Sequence, residues 1–241
     1  MSTYTPQATT VPVITIDGPS GAGKGTIAFA LAQYLHWHFL DSGALYRSLA
    51  YLVKQTNIPI TAIDEIAVLA ENLDLQIIPS ATQRYGIWLH QQDITQLIRA
   101  EGIGQIASKI SIYPKVRNVL LACQRRFAKL PGLVADGRDM GTVVFTSAPL
   151  KIFLDASLQE RAKRRYLELQ TTADSKSLQQ ITKELGERDR RDSDREIAPL
   201  RAANDAITID TTNLSIAAVI ARVVELVAAR RLAVTLQAQA C

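Results

Sequence analysis

Little in this chain of 241 residues could cross-link it or anchor it. Its two cysteines, Cys123 and Cys241, are too few and too far apart for a disulfide framework or a Cys-rich zinc site, which fits a reducing cytoplasm. The longest apolar stretch near the end is broken by Arg222, Glu225 and Arg230, so no segment is expected to span a bilayer. The start, Met1 to Pro12, lacks a basic region followed by an apolar stretch, so no secretory signal is expected either. Aromatic residues make up only 6% of the chain, which argues against a surface that stacks nucleic-acid bases. There are three histidines, and the reading of His36, His38 and His90 is structural or surface.

What the chain does have is apolar mass and guanidinium. The hydrophobic fraction of 47% rules out a disordered chain and, at this length, supports one compact domain with room for an insertion. The net charge is only +4, but 18 of the 27 basic residues are arginine. Arginine binds phosphate through a planar fork that lysine lacks, so a phosphate-handling enzyme is modestly favoured, with an ordinary arginine-rich surface as the alternative; a net +4 draws nucleic acid only where the charges cluster.

Short aliphatic runs alternate with helical patterns. Strands are expected at Val11–Asp17, Trp37–Leu40, Leu133–Asp136, Lys151–Asp155 and Ala206–Asp210. Helices are expected over Thr26–Leu35, from an N-cap at Ser42, and at the end, where Ile216, Val219, Ile220, Val223 and Val227 mark one face. Five strands separated by helices imply an α/β three-layer sandwich around a parallel sheet. The exception is residues 73–96, where Leu73, Leu75 and Ile77, then Tyr85, Ile87 and Leu89, alternate with other residues as in a small antiparallel unit. Thr171 to Ser177 is the most loop-like polar stretch, and the first ten residues are expected to fray.

The strongest chemical signal is Gly18-Pro19-Ser20-Gly21-Ala22-Gly23-Lys24, a G-x-x-x-x-G-K run directly after a strand and before a helix. Glycines let the backbone wrap an anion with its N–H groups, the following helix adds its positive end, and Lys24 supplies a point charge to the outer phosphates. The bland alternative is a Gly-rich turn. The usual hydroxyl after the lysine is displaced by one: Gly25 intervenes, leaving room for a second phosphate, and Thr26 could still reach magnesium, with Asp136 acting through water.

A phosphate loop does not say where the phosphate goes. No N-K-x-D run reads guanine, and the strand at Leu133 ends in Asp136 alone rather than Asp-Glu. Cationic acceptor candidates are plentiful. Asp41-Ser42-Gly43-Ala44-Leu45-Tyr46-Arg47 and Asp136-Gly137-Arg138-Asp139 both follow strands, at the sheet edge where ligands bind in open α/β folds. Arg188, Arg191, Asp192 and Arg195 have the spacing of one helix face. Ser157-Leu158-Gln159-Glu160 has the pattern of a capping box, opening a helix with Arg161, Arg164 and Arg165 on one side. A solvated, salt-bridged surface is the alternative for these last two runs.

Taken together, G-P-S-G-A-G-K-G-T, L-D-S-G-A-L-Y-R, A-D-G-R-D-M-G-T and E-R-D-R-R-D-S-D-R closely resemble the bacterial cytidylate kinases, in order and spacing, from about Val11 to Val227. The resemblance implies a P-loop core over 11–72 and 105–230, a lid at about 157–190, a monophosphate-binding insert at 73–104, and loose ends at 1–10 and 231–241. It implies phosphoryl transfer from Mg-ATP to CMP or dCMP by a cytoplasmic monomer that needs neither nucleic acid nor membrane. By the same resemblance, Ser42, Arg47, Arg138 and Arg195 hold the acceptor's phosphate, and Arg188 and Asp192 its ribose. Ser108, Arg117 and Asp139 read the base, Arg161 and Arg165 reach the transferring group, and Gly18 to Thr26 hold the donor. Thr211 to Asn213 is a guess for the adenine pocket. The rival is a P-loop kinase for another small acceptor, a different monophosphate or a shikimate-like hydroxyl acid, for which Asp41 could serve as base.

Overall fold

The computed structural model describes residues 11–80, 85–170 and 176–232. Its central sheet has five parallel strands: β1 (Val13–Asp17), β2 (His38–Asp41), β6 (Leu133–Gly137), β7 (Leu150–Asp155) and β8 (Ile207–Asp210), in the order β2-β6-β1-β7-β8. Val13 pairs with Leu133 and Ile14 with Leu150, so β1 is flanked on both sides. Every residue of β1 and β6 is buried, as expected of parallel strands covered on both faces.

The pleat sends alternate β1 side chains into two cores. Ile14 and Ile16 pack with Ile27 and Leu31 of α1 (Lys24–Leu35) and with Val219, Val223 and Val227 of α8 (Ile216–Ala229). Val13 joins the other face, where α2 (Ser42–Gln55) contributes Leu45 and Leu49 and α5 (Pro114–Arg125) contributes Val116 and Leu120. That makes the three layers. On α8 the expected stripe narrows to Val219, Val223 and Val227, because Ile216 in the first turn is 58% exposed and Ile220 only partly covered.

Between α2 and α5 run α3 (Ile63–Glu71), a meander of β3 (Leu75–Pro79), β4 (Tyr85–Leu89) and β5 (Gln92–Asp93), and α4 (Glu101–Ile110). The meander is antiparallel, with Ile77 opposite Ile87. The expected edge of this insert at residue 104 falls inside α4. Leu75, Ile87, Leu89 and Ile94 belong to the same apolar cluster as Leu45 and Leu120. The segment expected as a lid is built differently. Helices α6 (Leu158–Gln170) and α7 (Leu178–Ser193) meet over a small cluster of Ala162, Ile181 and Leu185. Its expected boundary at residue 190 also falls within a helix. Thr171 to Asp174 and Ser175, like the chain ends 1–10 and 233–241, lie outside the described residues.

Three local expectations need correction. Ser42 is not the cap of α2: Asp41 is, its Oδ1 accepting from the Ala44 amide at 2.8 Å, because a carboxylate at the strand end satisfies that orphan donor. Ser157 forms only half a capping box. Its Oγ accepts from the Glu160 amide at 3.2 Å, but its own amide donates to Thr212 Oγ1, while Glu160 accepts from Arg164. The full box opens α7 at Ser177 and Gln180. Finally, α7 stops at Ser193, so Arg195 lies beyond it, and Arg191 is exposed; the four residues spaced along one face do not share it. Among the described residues no helix is long and apolar enough to cross a membrane.

Candidate active site

The carboxyl ends of β1, β2 and β6 point the same way, and the chemistry-bearing segments leave the sheet there. After β1 the chain turns sharply at Gly18, where a side chain would strike the Leu154 carbonyl oxygen at 2.0 Å. Gly23, left-handed at φ 89°, then caps α1 where only glycine adopts the geometry without strain. The helix therefore begins at Lys24, two residues earlier than its apolar periodicity suggests. Lys24 is buried, donates to the Pro19 carbonyl at 2.9 Å and stands 4.0 Å from Asp136 Oδ1 at the end of β6. Burial, helped by the positive charge of Arg138, holds its pKa down to about 7, with Asp136 opposing. Burial raises Asp136 to about 6 against the pull of Lys24. An anionic phosphate beside Lys24 would restore its full charge.

Opposite the loop the arginines converge. Arg138, leaving β6, donates to Ser20 Oγ of the phosphate loop at 2.7 Å and to Asp192 Oδ2 of α7 at 3.0 Å. Arg195 lies against the same carboxylate, with Nη2 3.2 Å from Asp192 Oδ1. Burial alone would raise Asp192, but Arg138, Arg195 and Arg188 outweigh it and hold the carboxyl below the usual range. Arg188 also acts electrostatically on Lys24, lowering its pKa. Arg47 on α2 donates to Asp41 Oδ2 at 3.2 Å. The buried Nε of Arg47 makes no hydrogen bond to any described residue, while Nη2 of Arg195 is ion-paired with Asp192 without forming a hydrogen bond. A buried guanidinium donor with no acceptor is costly unless an anion completes it.

Deeper in the cleft Arg117 of α5 donates to Asp139 Oδ2 and to the Ser111 carbonyl, at 3.2 Å for the latter. Ser111 in turn donates to the Ser108 carbonyl at 2.9 Å, so Ser108, Arg117 and Asp139 form one chain of contacts. Tyr46 joins them: burial pushes its phenol up to about 12, and Arg117, Asp139 and Arg195 all act on it. Arg195 acts on Tyr46 together with Arg117 and Asp139, which sets this group beside the Arg138–Asp192–Arg195 cluster.

Two expected residues point elsewhere. Arg161 is buried under the phosphate loop, donating to the Ala156 and Ser20 carbonyls at 2.8 and 3.1 Å and to Asp189 at 2.6 Å. Arg165 is half-buried on α6, 3.3 Å from Glu168. Thr211 sits beside the loop, its Oγ1 3.3 Å from the Ala22 carbonyl, while its own carbonyl accepts from Arg164 at 2.7 Å. All three histidines are exposed.

Three contributors escaped sequence reasoning. Gln124 of α5 donates to Ser42 Oγ at 2.8 Å, and no local pattern marks it. Tyr85 of β4 reads as core, yet its hydroxyl donates to Asp41 Oδ2 at 2.8 Å. Asp17 could have been found as an acid closing an otherwise apolar strand. Its two oxygens accept from the Met140 and Gly141 amides at 2.9 and 2.8 Å, pinning the π-helical turn that follows Arg138 and Asp139. Burial raises its pKa from 3.8 to about 7. The folded protein therefore binds this proton more tightly than the unfolded chain, and the contribution present below pH 3.8 is lost as pH rises through 7. In the nucleotide-free protein, denaturant midpoints are expected to fall between pH 5 and pH 7.5, and less steeply in Asp17→Asn. An equal slope in both would remove Asp17 as the cause.

A phosphate loop facing a cluster of guanidinium groups across the end of a parallel sheet defines a P-loop phosphotransferase with an anionic acceptor. Comparison narrows this. The family model described as "Cytidylate kinase" matches residues 14–229. The cytidylate kinase of Stutzerimonas stutzeri (strain A1501) is 52% identical over 225 residues, covering 92% of this chain and 98% of that one. The cytidylate kinase of Proteus mirabilis (strain HI4320) is 50% identical over 213 residues, covering 88% and 94%. Among solved structures, TT1252 from Thermus thermophilus covers 91% of this chain and 97% of its own, at 18% identity and a TM-score of 0.46. The chain belongs to the cytidylate kinase family.

Proposed function

We propose that this protein transfers the γ-phosphoryl group of ATP to the phosphate of CMP, giving CDP and ADP, with dCMP as a second acceptor. The observation that supports this reading is the set of guanidinium groups beside the phosphate loop: Arg138 joins Ser20 to Asp192, Arg195 meets the same Asp192, and Arg47 meets Asp41 at the end of β2. Acceptor phosphate oxygens are already anionic at neutral pH, so no general base is needed. Catalysis then rests on alignment and on neutralising charge.

The roles follow from the contacts. The N–H groups of Gly18 to Thr26 cradle the donor, and Lys24 meets its outer phosphates. Arg47, Arg138 and Arg195 take the acceptor's phosphate. Because Gln124 donates to Ser42 Oγ, the Ser42 hydroxyl keeps its own hydrogen to donate to that phosphate. Asp139, held by Arg117, accepts from the N4 amine of cytosine, where uracil would present a carbonyl. Asp192 serves the phosphate arginines first, since both lean on it; a ribose contact comes in addition, shared with Arg188. Arg161 and Arg165 would have to leave their present partners to reach the transferring group.

The residues fit a magnesium ion. Among the described residues no cluster of three or more His, Cys, Asp or Glu could cage a metal, and Mg²⁺ prefers one or two protein oxygens plus phosphates and water. Asp136 offers a buried carboxylate over Gly25, where a Cβ would come 3.1 Å from its Oδ2, and Thr26, the next residue of α1, offers a hydroxyl. Bound there, the ion would neutralise charge on the donor's phosphates.

A hydroxyl acceptor is less well served. Asp41, the base it would need, already accepts from the Ala44 amide, Arg47 and Tyr85. A coupled assay of ADP release with CMP, dCMP, UMP and AMP tests the proposal: CMP and dCMP lead, and equal use of AMP would overturn it. In the same assay Arg188→Ala is expected to lower kcat/KM for both CMP and dCMP about a hundredfold. Indifference would return that side of α7 to the surface.

A further inference from the structure

Among the described residues of the meander, Tyr85 reaches the end of β2, and its chemistry there is unassigned. Tyr85, first residue of β4, packs its ring against Phe29 of α1 and Phe39 of β2, with centroids 5.3 and 4.9 Å apart. Its hydroxyl passes beyond that aromatic patch to Asp41 Oδ2 at 2.8 Å, the same oxygen that accepts from Arg47 Nη2 at 3.2 Å. Burial, then the carboxylates of Asp41 and Asp136, holds the phenol far above its usual pKa, so it keeps the proton that it donates to Asp41. The other Asp41 oxygen is fixed by the Ala44 amide.

Asp41 therefore faces a choice that Tyr85 decides. A carboxylate beside Arg47 competes with any incoming phosphate for the guanidinium. A second donor on the shared oxygen draws off part of its charge, which keeps its grip on Arg47 long and leaves Arg47 Nε directed to no described residue. We infer that Tyr85 is a positioning residue for acceptor binding, acting through Asp41 to hold Arg47 ready for the acceptor's phosphate. The inference rests on the assignment of Arg47 to that phosphate. It ties the meander to the affinity for the acceptor and leaves the donor side untouched.

The test is steady-state kinetics on Tyr85→Phe, which keeps the ring and deletes the hydroxyl, beside Tyr85→Leu, Asp41→Asn, the Phe/Asn double variant and Arg47→Ala. Tyr85→Phe is expected to raise KM for CMP about five- to tenfold, with kcat and KM for ATP within twofold of the parent. On the Asp41→Asn background the same change is expected to add less than twofold. If Tyr85→Phe behaves as the parent and only Tyr85→Leu is impaired, with a lower Tm, the residue is packing alone and the inference falls. It falls equally if kcat drops while KM holds, or if the Phe effect persists in full without the Asp41 carboxylate. Arg47→Ala separates the two levels: an unchanged KM for CMP there overturns the Arg47 assignment itself, whereas a raised KM beside a silent Tyr85→Phe overturns only the role of Tyr85.

Discussion

Lys24→Ala is expected to cut kcat by about a hundred- to a thousandfold, the usual cost of removing one charge-stabilising donor from a preorganised site. The lysine sits where the loop, the β6 carboxylate and Arg138 meet, so nothing nearby substitutes for it. Arg138 is held by Ser20 and Asp192, and Arg188 acts on Lys24 electrostatically. The fold is expected to survive. A buried ammonium whose pKa is already pulled down to about 7 contributes little to the nucleotide-free protein, and its hydrogen bond goes to the neighbouring Pro19 carbonyl. Circular dichroism and a denaturation curve beside the kinetics separate the two effects. Near-normal turnover, or loss of the fold with the activity, would each contradict the role given to Lys24.

The second large effect concerns the base. Replacing Asp139 is expected to lower the preference for CMP over UMP by roughly ten- to a hundredfold, the scale of a hydrogen bond to a charged group, ~1.5–3 kcal/mol. The choice of replacement matters, because Asp139 also neutralises Arg117, and both are buried. Asp139→Ala strands that guanidinium and costs stability as well as selectivity. Asp139→Asn keeps the shape and one acceptor, and its amide can turn a donor toward the carbonyl of uracil, so UMP use should rise as CMP use falls. Competition between the two nucleotides in one reaction measures the ratio directly. A ratio unchanged in the Asn variant would remove Asp139 as the reader of the exocyclic group.

The parts of this site that depend on local backbone were legible in the sequence. A phosphate loop is a strand, a glycine turn and a helix in uninterrupted order, so Gly18 to Thr26 could be placed without tertiary knowledge. The same holds for ionic residues that immediately follow strands, Asp41 and Asp136 to Asp139, because strand ends in a parallel sheet lie along one edge. Where the reading failed, the decisive partner was distant in sequence. Ser157 and Glu160 have the spacing of a capping box, but Thr212, 55 positions on, takes the serine's amide. Arg195 keeps the period of α7 and still lies outside it, since the helix ends before the arginine that Asp192 draws back toward Arg138. Tyr85 and Gln124 carry no periodic or charge signal at all. Their polar ends matter only because β4 and α5 fold over the same edge of the sheet. A resemblance to a family could promote Ser108, which spacing alone leaves as an ordinary helix serine, but it gave no hint that Asp17 pins the turn beyond Asp139.

The two outgrowths of the sheet also age differently under stress. Strands β3 and β4 share apolar neighbours with α2 and α5, so the meander melts only when the main body does. The α6–α7 pair has three fully covered apolar side chains of its own and leans on the body largely through ion pairs and carbonyl contacts of Arg161 and Arg164. Heat or protease is expected to find that limb first, and a molecule that has lost it temporarily also loses Asp192, the carboxylate on which Arg138 and Arg195 lean.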